Sequence, residues 1–338
     1  MTSARVLSRR LSVEQRQQLE RLRSSVERLL EAHPRSVLGQ IGQTPLLALP
    51  QASAQLRLWA KLESHNPSGS IKDRTVLYLL ADALDTGQVQ TNTTLVEASS
   101  GNTGIALAAL GAALRRRVLI FMPENVSAER ANLIRAYGAR VQLTPAELGT
   151  DGAISAARKA HEDPGHYWLR QHENFANTLA HYDTTGAEIL AQCPDVELFV
   201  ASSGTTGTLV GSSMRIKQAN PKTKVVAVWP EDKIMGLRRP EGATRPLIYD
   251  GRWIDHIVEI SDVEAKEATR TLARTTGLLV GPSSGAAWLA AQRLGSQLDP
   301  SLTHEVVVCF PDDGARYLST DTFDPTHEGA FLDPVANG

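Results

Sequence analysis

Two cysteines in 338 residues, Cys193 and Cys309, are too few for a disulfide framework. No Cys-x-x-Cys spacing and no Cys/His cluster is present, so no metal site is expected. Cys309 lies in the apolar run Val306-Val307-Val308-Cys309-Phe310 and reads as a buried strand cysteine rather than a reactive thiol. Such sparing use of cysteine fits a reducing cytoplasm, the expected location. Excess charge of either sign is also lacking: 35 basic against 37 acidic residues leave a net charge of -2, which gives no basis for nucleic-acid or membrane binding. The apolar stretch from Ile105 to Leu114 falls short of the ~20 residues that span a bilayer. Arg9-Arg10 is not followed by an apolar segment, so no export signal is read.

What is present is ordinary globular material. Hydrophobic residues make up 42% and charged residues 21%, and the length allows one large domain or two medium ones with a sizeable core. Residues 11–32 have the pattern of an amphipathic helix. Ser12 with Gln15 makes a capping box, and Leu19, Leu22, Val26, Leu29 and Leu30 form one face. That face is expected to pack on its own domain, with a helical arm to a second subunit as the alternative. Beyond Pro45, β-branched runs at 56–62, 94–98, 117–122, 140–143, 198–201, 224–228 and 305–310 are mostly separated by helical patterns, for example 128–137 and 184–192. Strands alternating with helices predict α/β layers with mainly parallel sheets. Ligands of such sheets bind at the carboxyl ends of strands.

Four polar, glycine-containing segments stand out. Asn66-Pro67-Ser68-Gly69-Ser70-Ile71-Lys72-Asp73-Arg74 follows a strand and leads into an apolar helix. A lysine at a helix start is disfavoured by the dipole, and with partial burial its pKa falls toward the range that suits Schiff-base chemistry. Ser99-Ser100-Gly101-Asn102-Thr103-Gly104 also joins strand to helix, where free N–H groups can hold a carboxylate or simply be capped by local side chains. Ser203-Gly204-Thr205-Thr206-Gly207-Thr208 has the small residues of a phosphate cradle, without the Gly-Lys-Ser/Thr of a Walker loop or the GxGxxG of a dinucleotide site. Gly281-Pro282-Ser283-Ser284-Gly285 opens another apolar helix.

In this order, the four segments closely resemble the cysteine synthase and cystathionine β-synthase group of fold-type II pyridoxal-phosphate enzymes. The similarity runs from about Gly42 to about Thr320. It also takes in Gly42-Gln43-Thr44-Pro45-Leu46, Met122-Pro123-Glu124-Asn125 and Pro311-Asp312-Asp313-Gly314-Ala315-Arg316-Tyr317. Neither the N-terminal haem segment nor the C-terminal regulatory module of some relatives is expected.

The resemblance implies two α/β domains of the tryptophan synthase β type. A smaller, mobile one would span 47–158 with the lysine and asparagine loops. A larger one, 1–46 and 159–338, would carry the phosphate loop and Ser283. It implies pyridoxal 5'-phosphate as cofactor, with Lys72 forming the Schiff base and moving protons. Asn102 would bind the phenolic oxygen, Gly204, Thr205, Thr206, Gly207 and Thr208 the phosphate, and Ser283 the pyridine nitrogen. Ser99, Ser100, Thr103 and Gln171 would hold the substrate carboxylate. A homodimer acting on a small amino acid and a small nucleophile is implied.

The implied reaction is β-replacement on O-acetyl-L-serine or O-phospho-L-serine through an aminoacrylate, with sulfide giving L-cysteine. Alternatives are an amine nucleophile giving a 2,3-diaminopropionate-type product, a serine/threonine dehydratase, and a non-catalytic binding homologue. Several positions depart from the family wording: Ala98 for proline, Thr206 for glycine, His172 for an aromatic, and the segment 229–240, which lacks the usual glycine-rich stretch. Arg238 and Arg239 in that segment read as solvated loop charges, with contact to a substrate oxyanion as the alternative.

Overall fold

The computed structural model describes residues 11–50, 56–126, 128–242, 245–299 and 301–323. The Arg9-Arg10 segment therefore lies outside the described residues. The first helix, α1 (Val13–Ala32), starts at the predicted capping box: Ser12 Oγ accepts from Gln15 N, and Gln15 returns the bond to Ser12 N. Leu19, Leu22, Val26 and Leu29 are buried, and the helix packs on α2 (Lys72–Asp85) of its own chain. Arg21 adds ion pairs to Asp82 and Asp85 along that seam.

Among the described residues, ten strands form two sheets. The larger contains β1 (Leu46–Ala48), β2 (Leu56–Leu62), β7 (Leu198–Ser202), β8 (Lys224–Pro230), β9 (His256–Ile260) and β10 (His304–Phe310), in the order β1-β2-β10-β7-β8-β9. Only the edge pair β1–β2 is antiparallel; the other pairs are parallel. β10 sits inside this sheet, and Val306, Val307 and Val308 are fully buried, as a parallel strand covered on both faces requires. The smaller sheet contains β3 (Thr94–Ala98), β4 (Arg117–Pro123), β5 (Arg140–Thr144) and β6 (His166–Trp168), all parallel, in the order β5-β4-β3-β6.

Every predicted strand is present, and β1, β6 and β9 are additional. Sheet membership does not follow the predicted division at 47 and 158. β1 and β2 pair within the larger sheet, and β6 joins the smaller one from beyond residue 158. The cause is register: Leu56–Leu62 aligns along its full length with His304–Phe310, a pairing of distant segments that local pattern does not contain.

The remaining helices connect or cover the strands: α3 (Asn102–Ala113), α4 (Ala128–Ala136), α5 (Gly149–His161), α6 (Ala176–Ala180), α7 (Gly186–Gln192), α8 (Gly207–Ala219), α9 (Asp262–Thr276) and α10 (Pro282–Gly295). A single π-helical turn, His181–Thr185, joins α6 to α7. Helix α3 is apolar all round, from Ile105 to Leu110, because α2 and α4 cover it as well as the sheet. The carboxyl ends of β2, β3, β6, β7, β8 and β10 lead into the segments that line one cavity.

Candidate active site

The cavity measures about 270 Å³. Lys72, Ser99, Ser100, Asn102, Thr103, Gln171, Gly204, Thr205, Thr206, Thr208 and Ser283 all line it. Gly207 is the one site residue read from the sequence that does not. It is turned toward Asn177, and a Cβ there would come within 2.2 Å of Asn177 Oδ1, so only its backbone N–H is available to a ligand.

Lys72 is the first residue of α2. The approach to it is held by backbone pairing with the end of β10: Ile71 N donates to Pro311 O at 2.9 Å, and Ser70 bridges to Asp312. Burial pulls the Lys72 ammonium down to about 8, with Cys309 and Asp312 opposing that shift. Two residues further along α2, Arg74 is wholly buried and paired with Glu63 and Glu188. Glu63 Oε1 also accepts from Thr44 Oγ1 at 2.7 Å. This buried network fixes the helix turn that carries Lys72.

The segment after β7 turns sharply into α8. Thr206, at the helix N-cap, has φ 72° in the left-handed region, a costly conformation for a β-branched residue. Its Oγ1 is buried without a hydrogen-bond partner. The first N–H groups of α8 also lack an intrahelical acceptor. An orphaned hydroxyl, a helix N-terminus and the hydroxyls of Thr205 and Thr208 together fit a phosphate. From beneath, Asn177 Nδ2 donates to Thr205 Oγ1 at 3.0 Å, and the buried His181 Nε2 lies 3.0 Å from Thr75 Oγ1 and 3.3 Å from Thr208 Oγ1.

Across the cavity, the Ser99–Asn102 segment follows β3. Gln171, after β6, is buried against it: Thr103 Oγ1 donates to Gln171 Oε1 at 2.6 Å, and Gln171 Nε2 donates to Ala98 O at 3.2 Å. Glu97 supports the backbone here, accepting from Trp168 Nε1, Ala98 N and Gln171 N. Burial pushes the Glu97 carboxyl up to about 7. Ser283 stands in the first turn of α10, after Pro282, and its carbonyl accepts from Ser202 Oγ at 2.7 Å.

The two arginines after β8 part company. Arg238 lines the cavity and pairs with Asp151 at 3.0 Å, so it is not the solvated loop charge expected of it. Its main chain is pinned to Ser203, whose carbonyl accepts from Arg238 N at 2.7 Å. Arg239 instead pairs with Glu259 at 2.8 Å and donates to Pro230 O. His172, one of the departures from the family wording, lines the cavity with Nδ1 buried and unpartnered. Burial, with help from Arg238 and Lys72, pulls its imidazole down to about 4, so it is neutral at neutral pH.

Sequence reasoning assigned no role to Asp312, Arg130, Tyr317 or Arg316. Asp312 is the only acidic residue lining the cavity among those described, and Arg130 and Tyr317 line it beside Asp312. The available signal was position, since Asp312 lies two residues past the carboxyl end of a core strand, after Pro311. No cluster of potential metal ligands occurs among the described residues, and none of their helices is long and apolar enough to cross a membrane.

Residues 37–312 match the family described as pyridoxal-phosphate dependent enzyme. The chain is 40% identical over 300 residues to the cysteine synthase of Aquifex aeolicus, covering 85% of this chain and 92% of that protein. It is 39% identical over 290 residues to cysteine synthase B of Pseudomonas aeruginosa, covering 84% and 96%. The crystal structure of O-ureido-L-serine synthase superposes with a TM-score of 0.83 at 36% identity, covering 88% of this chain and 97% of that one.

Proposed function

We propose that this chain, which belongs to the pyridoxal-phosphate-dependent enzyme family, catalyses β-replacement on an O-activated L-serine, with sulfide as nucleophile and L-cysteine as product. The observation that carries the reading is the meeting of Lys72, at the start of α2, with the Ser99–Asn102 segment, from the end of β3, in one cavity fed by both sheets.

Pyridoxal phosphate, when bound, supplies a conjugated ring that draws electrons from the substrate Cα. Lys72 Nζ is its covalent anchor and then the base that takes the Cα proton. A lysine held near about 8 by burial is suited to both tasks. Gly204, Thr205, Thr206, Gly207 and Thr208 hold the phosphate, with Gly207 contributing its N–H alone. Ser283, which lines the cavity, would meet the pyridine nitrogen. A serine hydroxyl is a poor proton donor compared with a carboxylic acid, so the ring stays a moderate electron sink suited to loss of a β-leaving group rather than transamination. Asn102, which lines the cavity, would donate to the phenolic oxygen. Ser99, Ser100, Thr103 and Gln171 bind the substrate carboxylate. The smaller sheet and its helices close over it and exclude water. The enzyme works as a cytoplasmic homodimer on this reading; both cysteines are free and buried, which suits that compartment.

A second reading keeps the donor and replaces sulfide with an amine. His172 favours it, because a neutral imidazole with an unpartnered nitrogen offers the cavity a polar contact that an aromatic would not. Incubation with O-acetyl-L-serine or O-phospho-L-serine plus sulfide tests the assignment. L-cysteine is expected. Pyruvate and ammonia would make the chain a dehydratase, and a product formed only with an amine would move the second reading ahead.

A further inference from the structure

Asn102 opens α3 with its carboxamide held at both ends by residues more than 200 positions away. Its Nδ2 donates to Asp312 Oδ2 at 2.7 Å, and its Oδ1 accepts from Arg316 Nη1 at 2.5 Å. A guanidinium can only donate, so it dictates that the oxygen edge of the amide faces Arg316. Asp312 Oδ2 also accepts a hydrogen bond from Tyr317 Oη at 2.6 Å, so it acts as an acceptor toward both Tyr317 and Asn102. Turning the amide over would set donor against donor and acceptor against acceptor at two part-buried contacts.

We propose that Asp312 is a positioning residue that, with Arg316, fixes the Asn102 carboxamide so that its remaining N–H, and not its oxygen, is presented to the cavity. An amide nitrogen carries two hydrogens. One goes to Asp312, and the other is left for an acceptor. Asp312 itself has little freedom to move. It is 1% exposed, its backbone bridges to Ser70 beside Lys72, and its carbonyl accepts from Gly281 N. Arg316 is anchored in turn on the carbonyl of Ser68, and the Arg130 guanidinium stacks on the Tyr317 ring at 5.1 Å. The clamp therefore ties the lysine segment, the asparagine segment and the end of β10 into one unit. Asp312 Oδ1 remains buried and unpartnered, on a residue that lines the same cavity.

The inference rests on the reading of Asn102 as the donor to the cofactor's phenolic oxygen, and the test separates the two. Asn102→Ala, Asp312→Ala and the double variant are compared as purified apoprotein titrated with pyridoxal phosphate. Cofactor affinity and the position of the visible absorption band are read at several pH values. Thermal melts confirm that each variant is folded. Asp312→Ala is expected to weaken cofactor binding about tenfold and to move the band in the same direction as Asn102→Ala. The double variant is expected to match Asn102→Ala alone, because one residue acts through the other. Full additivity, or an unchanged Asp312→Ala beside an altered Asn102→Ala, overturns the clamp and leaves the Asn102 reading standing. If Asn102→Ala alters neither readout, both fall. Should Asp312→Ala fail to fold, Arg316→Met tests the clamp from its other end with the same expected non-additivity.

Discussion

Arg238 Nη2 lies 3.0 Å from Asp151 Oδ1, and this ion pair joins the segment after β8 to helix α5 at the rim of the cavity. The Asp151 side chain is 60% exposed, so the pair contributes little to stability, under about 1 kcal/mol. Its interest lies in what it occupies. While Arg238 is paired with Asp151, one face of its fork is not free for a substrate oxyanion.

Asp151→Asn should therefore leave the melting temperature nearly unchanged and lower KM for O-phospho-L-serine severalfold, with little effect on KM for O-acetyl-L-serine. Steady-state kinetics with the two donors checks this. An equal effect on both donors would show that Arg238 does not read the charge of the leaving group.

The lysine makes a second prediction, with a defined direction in pH. Burial lowers Lys72 to about 8 in the protein without cofactor, and only the neutral amine attacks an aldehyde. As pH rises through about 8, the neutral fraction grows and then saturates. The rate of pyridoxal phosphate uptake by apoprotein should climb about tenfold per pH unit below that midpoint and level off above it. A profile still climbing past pH 10 would mean that the amine is not desolvated as the structure indicates.

How far the sequence led can be judged from particular segments. The expected bounds 56–62 and 94–98 coincide with β2 and β3, although Arg57 and Lys61 interrupt the apolar residues of the first and Glu97 those of the second; what marks both is a short aliphatic segment between polar loops. β6 is only three residues long, and the edge strand β9 has a largely exposed pattern, so neither rises above loop background. The segments around Lys72, Asn102, Thr206 and Ser283 were legible as motifs, and the fold brings them to one cavity. The clamp of Asp312 and Arg316 on Asn102 was not, because it depends on the end of β10 arriving beside the start of α3. Nor could spacing reveal that Arg238 turns inward while Arg239 turns to Glu259.

A third prediction concerns the buried network under the lysine turn. Glu63 accepts from Arg74 Nε at 2.7 Å and Arg74 Nη2 at 2.9 Å, and both side chains are fully buried. Glu63→Ala leaves the guanidinium with Glu188 as its one carboxylate partner, beside the Thr44 hydroxyl, and should cost about 3–5 kcal/mol in denaturant unfolding. It should also weaken cofactor binding, since α2 begins two residues before Arg74. A loss below about 1 kcal/mol would mean that the network relaxes freely and does not hold that turn.

The most direct test of β-replacement separates its two halves. Purified holoenzyme is mixed with O-acetyl-L-serine in the absence of sulfide, and released acetate and the visible spectrum are followed. Sulfide is then added and L-cysteine is measured. A stoichiometric burst of acetate with a changed spectrum is expected, followed by matching L-cysteine and return of the original spectrum. The same sequence should appear with phosphate release if O-phospho-L-serine is the donor. No burst with either donor, or a burst that decays to pyruvate with no cysteine when sulfide is added, would contradict β-replacement.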